Sequence, residues 1–156
     1  MTAMVAAAMP SRIFAPALLQ GQVAVVTGGG SGLGRATAQE LSALGATVVI
    51  AGRRLEPLEG TTALCEGTCE AVVCDIREED QVTAFVDGVL ERHGRIDTLV
   101  NNAGGQYMTP AEDISAKGFE TVVRLNLIGT WLMTHAAATK AMIPQEGGKV
   151  ISVTLS

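Results

Sequence analysis

The chain has 156 residues, enough for one domain with a real core, and its 47% apolar against 17% charged residues exclude a disordered polypeptide. Eleven basic against sixteen acidic residues give a net charge of −5, which excludes the broad basic face that nucleic-acid binding needs. Aromatic residues are only 3%, so the core has to be built from Val, Ile, Leu and Ala.

Residues 1–20 are apolar but broken by Pro10, Arg12 and Pro16 and lack a basic start, so no secretory signal is expected. They read as a loose extension whose Ile13, Phe14, Leu18 and Leu19 pack on the body. No apolar run reaches the ~18 residues needed to span a bilayer. Cys65, Cys69 and Cys74 fall close together with no His nearby, and read as reduced thiols of a cytoplasmic protein; no metal site is expected.

From residue 22 the pattern alternates. QVAVVTG (22–28) is a β-branched run ending in glycine, a buried parallel strand. The following helix carries Leu33, Ala36, Leu41 and Leu44 near helical spacing and stops at Gly45. ATVVIAG (46–52) is a second strand, residues 53–67 a helix interrupted by Pro57 and Gly60, and EAVVCDI (70–76) a third strand. Val82, Phe85, Val86, Val89 and Leu90 form one helical stripe, with Glu78, Glu79 and Asp80 at its N-terminal end and Arg92 and Gly94 at its C-terminal end. RIDTLVNNAG (95–104) is a fourth strand. A long helix follows over about 117–142, with Trp131, Met133 and Met142 as core positions and His135 and Lys140 as packing or surface positions. His93 is a surface residue at a helix end. KVISVTL (149–155) is a fifth strand. Alternating units of this size require parallel strands joined by right-handed helical crossovers. The fold class is α/β: a Rossmann-like, doubly wound parallel sheet over residues 21–156 that stops after the fifth strand, with ligands at the carboxyl ends of the strands.

At the first such end lies TGGGSGLG, Thr27 to Gly34. A phosphate at a helix N-terminus meets free amides and a favourable dipole, and any Cβ in the turn would hold it away. The spacing is not G-x-G-x-x-G. It is T-G-x-x-x-G-x-G, carried by Thr27, Gly28, Gly32 and Gly34, with Thr27 and Ser31 able to add hydroxyl hydrogen bonds.

This segment resembles the short-chain dehydrogenase/reductases, together with NNAG at Asn101–Gly104, Asp75 followed by Ile76, and Asn126 within RLNLIGT. The resemblance implies that Gly28, Gly30, Ser31, Gly32, Leu33 and Gly34 hold a pyrophosphate. It implies that Asp75 and the Ile76 backbone meet an adenine, and that Asn102, Ala103 and Gly104 line the ribose and the path to the nicotinamide. Asn126 would hold a proton-relaying water. Asp75 as a helix cap and Asn101 as a strand cross-link are the plain alternatives.

Where an NAD-preferring pattern places Asp, this chain has Gly52, followed by Arg53 and Arg54. Guanidinium groups suit a 2′-phosphate, so NADP(H) is the expected cofactor, unless the arginines are merely solvated. The family's Tyr-x-x-x-Lys occurs nowhere; Tyr107 is followed four positions on by Ala111. The chain therefore resembles the N-terminal part of a longer enzyme, expected to be a homotetramer, and alone is expected to be inactive and poorly soluble. Leu155, between Thr154 and Ser156, stands where a Ser would close strand five. The loop GQYMTPAEDIS resembles that of trans-2-enoyl-CoA and 2,4-dienoyl-CoA reductases, which implies an acyl-CoA substrate near Gln106 and Tyr107. A 3-oxoacyl or other carbonyl reductase, and a catalytically dead NADP-binding module, are the alternatives.

Overall fold

Strands β1 (Val23–Thr27), β2 (Thr47–Gly52), β3 (Cys69–Val73), β4 (Thr98–Asn101) and β5 (Lys149–Ser152) form one parallel sheet in the order β3-β2-β1-β4-β5. The computed structural model describes residues 13–154; the expectations for residues 1–12, Leu155 and Ser156 lie outside the described residues. The chain winds outward from β1 through β2 to β3, then returns past β1 to β4 and β5. The switch of direction therefore falls between β1 and β4, where the strand ends diverge and a crevice opens. The register brings Thr27 level with Ala51, and Gly52 level with Val73, at that edge.

Alternation along the strands divides the core. Val25, Val49 and Leu99 face α3 (Glu79–His93) and the long C-terminal helix, packing on Val82, Phe85, Val86, Val89, Met133 and Ala137. Val26, Val48, Ile50 and Val100 face α1 (Gly32–Ala43) and α2 (Leu55–Thr62), packing on Ala38 and Leu58. The α3 stripe is buried as expected. Gly94, at φ +72°, ends that helix in the left-handed conformation glycine favours. His93 Nε2 at this end lies 3.1 Å from Glu70 Oε1.

Several expectations change. In α1 the buried residues are Gly34, Ala38 and Ser42, whereas Leu33 and Ala36 are exposed. The helix lies so close to the sheet that only small side chains fit beneath it. Pro57 does not interrupt α2. It occupies the first turn, where an absent N–H breaks no intrahelical bond. Of the N-terminal apolar residues Leu19 packs against the core, and its N–H donates to Leu44 O at 2.9 Å, while Ile13, Phe14 and Leu18 are exposed.

The long helix runs from Ala116 to Met142, but not as one uniform α-helix. α4 (Ala116–Val123) passes through a π segment (Arg124–Gly129) into α5 (Thr130–Ala137), and a second π segment (Ala138–Met142) follows. Met133 and Met142 are core; Trp131 is not. It is 59% exposed and stacks obliquely on His135, ring centroids 5.3 Å apart. Lys140 Nζ reaches Asp87 Oδ1 at 2.7 Å. β5 is the outer strand, and all four of its residues are exposed.

Candidate functional site

The ends of β1, β2 and β4 and the residues after β3 enclose a cavity of about 420 Å3. Of the residues expected to bind a cofactor, it gathers Gly28, Gly30, Ser31, Gly32, Leu33, Arg53, Arg54, Asp75, Ile76, Asn102, Ala103 and Gly104. Five other expected site residues do not line it. Thr27 and Gly34 lie beneath its floor, and Asn126, Gln106 and Tyr107 lie outside. Gly52, the position where an NAD-preferring pattern places Asp, also lines it, as do Ala51, Pro57, Leu58, Cys74 and Leu125, which no local pattern marks for binding and which only the tertiary fold brings there. Burial, then the Asp75 charge, push the Cys74 thiol up to about 11, so it is a neutral wall residue. A larger groove of about 620 Å3, between the start of α3 and α4, carries the Arg124–Glu78 ion pair and none of the expected residues.

The glycines divide by role. A Cβ on Gly28 would meet Ala103 Cα at 2.9 Å, one on Gly29 the Ile50 side chain at 2.6 Å, and one on Gly30 the Pro57 ring at 3.0 Å. A Cβ on Gly34 would run into Asn102 Nδ2 and Gly28 O. These four are glycine because protein lies against them, rather than because a ligand must approach. Gly32 differs: at φ +53° it has no neighbour within 4 Å. It alone fits the argument from ligand approach.

Behind Gly32 the amides are arranged for an anion. The first intrahelical bond of α1 is donated by Arg35 N to Ser31 O at 3.1 Å, so the amides of Gly32, Leu33 and Gly34 precede it. No acidic residue sits in the first turn, and the Ser31 side chain makes no capping bond. The positive end of the helix dipole is thus unopposed.

The hydroxyls and amides expected to touch ligand are largely used within the protein. Thr27 Oγ1 accepts from Asn102 N and Ala103 N, each at 3.0 Å, and donates to Val100 O at 3.4 Å, tying β1 to the turn after β4. Asn102 Nδ2 donates to Thr27 O at 3.0 Å and Gly28 O at 3.3 Å. Asn101 does cross-link elements, but to a helix rather than a strand: its Nδ2 donates to Thr134 Oγ1 at 2.9 Å, while its buried Oδ1 has no partner among the described residues. Asn126 closes both its polar atoms on Gly105, accepting from N at 3.0 Å and donating to O at 2.9 Å. As it stands it pins the loop that carries Gln106 and Tyr107, both exposed.

Asp75 is not the cap of α3, which is Glu78. Its carboxylate accepts from Arg77 at Nη2 (2.5 Å), Nε (2.9 Å) and the backbone N (3.1 Å), and these bonds hold it below the usual carboxylate range against the opposing effect of burial. An adenine amino group would therefore share an acceptor that is already fixed. Across the cavity Arg53 and Arg54 are exposed, and neither is in an ion pair among the described residues. The Arg53 charge also lowers the Asp75 pKa slightly.

An unopposed helix end under a glycine turn, an acidic residue after β3 and a cavity at the switch point are thus brought together. Residues 22–155 match the family model described as short chain dehydrogenase. The chain belongs to the short-chain dehydrogenase family. Among curated members, it is 34% identical over 148 residues to the peroxisomal 2,4-dienoyl-CoA reductase of Danio rerio, covering 92% of this chain and 49% of that one. It is 35% identical over 138 residues to the D-threitol dehydrogenase of Mycolicibacterium smegmatis, covering 86% and 53%. The chain thus spans about half the length of the curated relatives it matches. Among solved structures, a citronellol catabolism dehydrogenase of Pseudomonas aeruginosa PAO1 superposes with a TM-score of 0.85 at 46% identity, covering 90% of this chain and 58% of that one. A metagenomic short-chain oxidoreductase in complex with NADP superposes with a TM-score of 0.81 at 38% identity, covering 88% and 64%. No helix among the described residues is long and apolar enough to cross a membrane.

Proposed function

We propose that residues 21–156 are the NADP(H)-binding unit of an oxidoreductase that reduces the conjugated carbon–carbon double bond of an enoyl- or dienoyl-CoA. The observation that carries the cofactor part is the pair Arg53–Arg54, exposed and without ion-pair partners among the described residues, lining the same cavity as Gly32 and Leu33 at the start of α1. The diphosphate would lie on the amides there, and the 2′-phosphate against the arginines. Asp75 and the Ile76 backbone would flank the adenine, and Asn102, Ala103 and Gly104 the path toward the nicotinamide. Bound there, the cofactor supplies a hydride. The protein's own part is to hold it, turn one face of its ring toward the loop after β4, and keep that loop in place through Asn126.

The substrate class rests on the GQYMTPAEDIS loop and on the dienoyl-CoA reductases among the relatives. A second reading, an alcohol or carbonyl dehydrogenase, is favoured by the citronellol and D-threitol enzymes. With no Tyr-x-x-x-Lys in these 156 residues, the chain by itself binds cofactor without turnover. Equilibrium titration with NADPH and NADH tests the cofactor assignment. NADPH binds at least ten-fold tighter if the arginines act as stated, about 1.4 kcal/mol; equal affinities refute it. Assay of the longer gene product with a dienoyl-CoA and with an aliphatic alcohol separates the two substrate readings.

A further inference from the structure

Two carbonyls of the glycine turn, Gly29 O and Gly30 O, stand three and two residues before Gly32, the first of the helix amides that would take the diphosphate. Either one, turned into the cavity, would place a negative dipole beside an anion. Neither is turned there. Thr61, fully buried in the last turn of α2, donates from Oγ1 to Gly29 O at 2.9 Å, in preference to Pro57 O at 3.2 Å. Arg35, from the first turn of α1, donates from Nη2 to Gly30 O at 2.6 Å and from Nε to Thr61 Oγ1 at 3.1 Å. The guanidinium and the hydroxyl thus form one chain of bonds linking both carbonyls and both helices. Nothing else among the described side chains contacts these two oxygens by hydrogen bond.

We infer that Arg35 and Thr61 are positioning residues for the diphosphate: they set the orientation of the turn's peptide planes so that its amides, and not its carbonyls, face the cavity. Neither touches the cavity itself. The bond chain has a second consequence. α2 begins just after Arg53 and Arg54 and carries Thr61 in its last turn, so this one short helix fixes the glycine turn at one end and follows the two arginines at the other. The inference rests on the cofactor reading above and adds to it the residues that keep the anion end of the site in its binding shape.

The test is calorimetric titration of the chain with NADPH and with 2′-AMP, which carries the 2′-phosphate but no diphosphate. Thr61→Val removes the donor with little change of volume, Thr61→Ser retains it, and Arg35→Met releases Gly30 O and the bond to Thr61 Oγ1 while leaving the threonine's own donation to Gly29 O in place. Losing one net hydrogen bond to the turn weakens NADPH about five-fold. Thr61→Val and Arg35→Met are expected to show that loss with 2′-AMP affinity unchanged, and Thr61→Ser to bind NADPH like the parent. If both disruptive variants bind NADPH as the parent does, or lose NADPH and 2′-AMP to the same degree, the positioning role is overturned while the cofactor reading stands. If the folded parent binds neither ligand, both fall together. Should Thr61→Val not fold, Arg35→Met decides alone.

Discussion

Asn126 grips Gly105 at two points, its Oδ1 accepting from Gly105 N at 3.0 Å and its Nδ2 donating to Gly105 O at 2.9 Å. This is the pair of bonds a neighbouring strand would offer, made instead by one side chain from a π segment of the long helix. A π turn widens the helix locally and re-aims the residues on it, and such turns recur at functional sites. The clamp fixes the start of the loop proposed to meet substrate.

Asn126→Leu removes both bonds, whereas Asn126→Asp keeps the acceptor alone. Amide exchange at Gly105 and its neighbours is expected to accelerate about ten-fold or more in the leucine variant and by less in the aspartate variant, with exchange in β1 and β2 unchanged. Equal exchange in all three proteins would show that the loop is held by something else.

The glycines separate packing from binding. Gly32→Ala puts a methyl into open space at the cost of a positive φ, about 1 kcal/mol of stability. Gly34→Ala forces apart Asn102, Gly28 and α1, about 3 kcal/mol. Urea unfolding of the two variants checks the order. Gly32→Ala, although the more stable, is expected to lose NADPH affinity, because its methyl stands over the helix amides. Similar stabilities with affinity retained would contradict the division.

How much of this could be read beforehand follows from range. The strands and the α3 stripe depend on period and β-branching within a few residues, and Val82, Phe85, Val86 and Val89 are buried as their spacing requires. Parallel order follows from strict alternation. In α1 the apolar stripe points to Leu33 and Ala36 because it implies ordinary helix-to-sheet spacing, whereas Gly34, Ala38 and Ser42 bring the two closer. The cavity list was legible because strand ends converge by topology alone. The Arg35–Thr61–Gly29 bonds, the hold of Arg77 on Asp75 and the inward turn of Thr27 join elements far apart in the chain or depend on side-chain direction, and no local pattern carries them. π turns have no composition of their own, so the sequence pattern reads as one uniform helix where the structure has four segments, and it points Trp131 inward where the structure has it on the exposed face.

Cofactor preference should be reversible by two changes. A Cβ on Gly52 would come within 3.3 Å of Leu58 Cδ2, the movable end of a side chain, so Gly52→Asp is accommodated by a small shift. With Arg53→Leu it replaces a guanidinium by a carboxylate beside the 2′ position. The ratio of NADPH to NADH affinity is expected to fall about a hundred-fold, and an unchanged ratio would remove the arginines from the argument.

Asp75 makes a pH prediction whose sign is set by Arg77. Its folded pKa lies below the ordinary 3.8, so as pH falls through 3.8 the unfolded chain takes up the proton first. The stability it contributes is fully present well above 3.8 and is lost on acidification from there down through the folded value. Asp75→Asn should therefore be less stable than the parent at neutral pH and converge with it in strong acid, measured by denaturant unfolding across pH. Parallel curves would mean that the Arg77 pairing adds nothing.

The most direct test is to assign the backbone amides of Gly30 to Arg35 by NMR and titrate the chain with NADPH. The account predicts the largest shifts at the Gly32, Leu33 and Gly34 amides, saturating together with those of Arg53 and Arg54. Saturable binding that leaves the Gly32–Gly34 amides unmoved would contradict it.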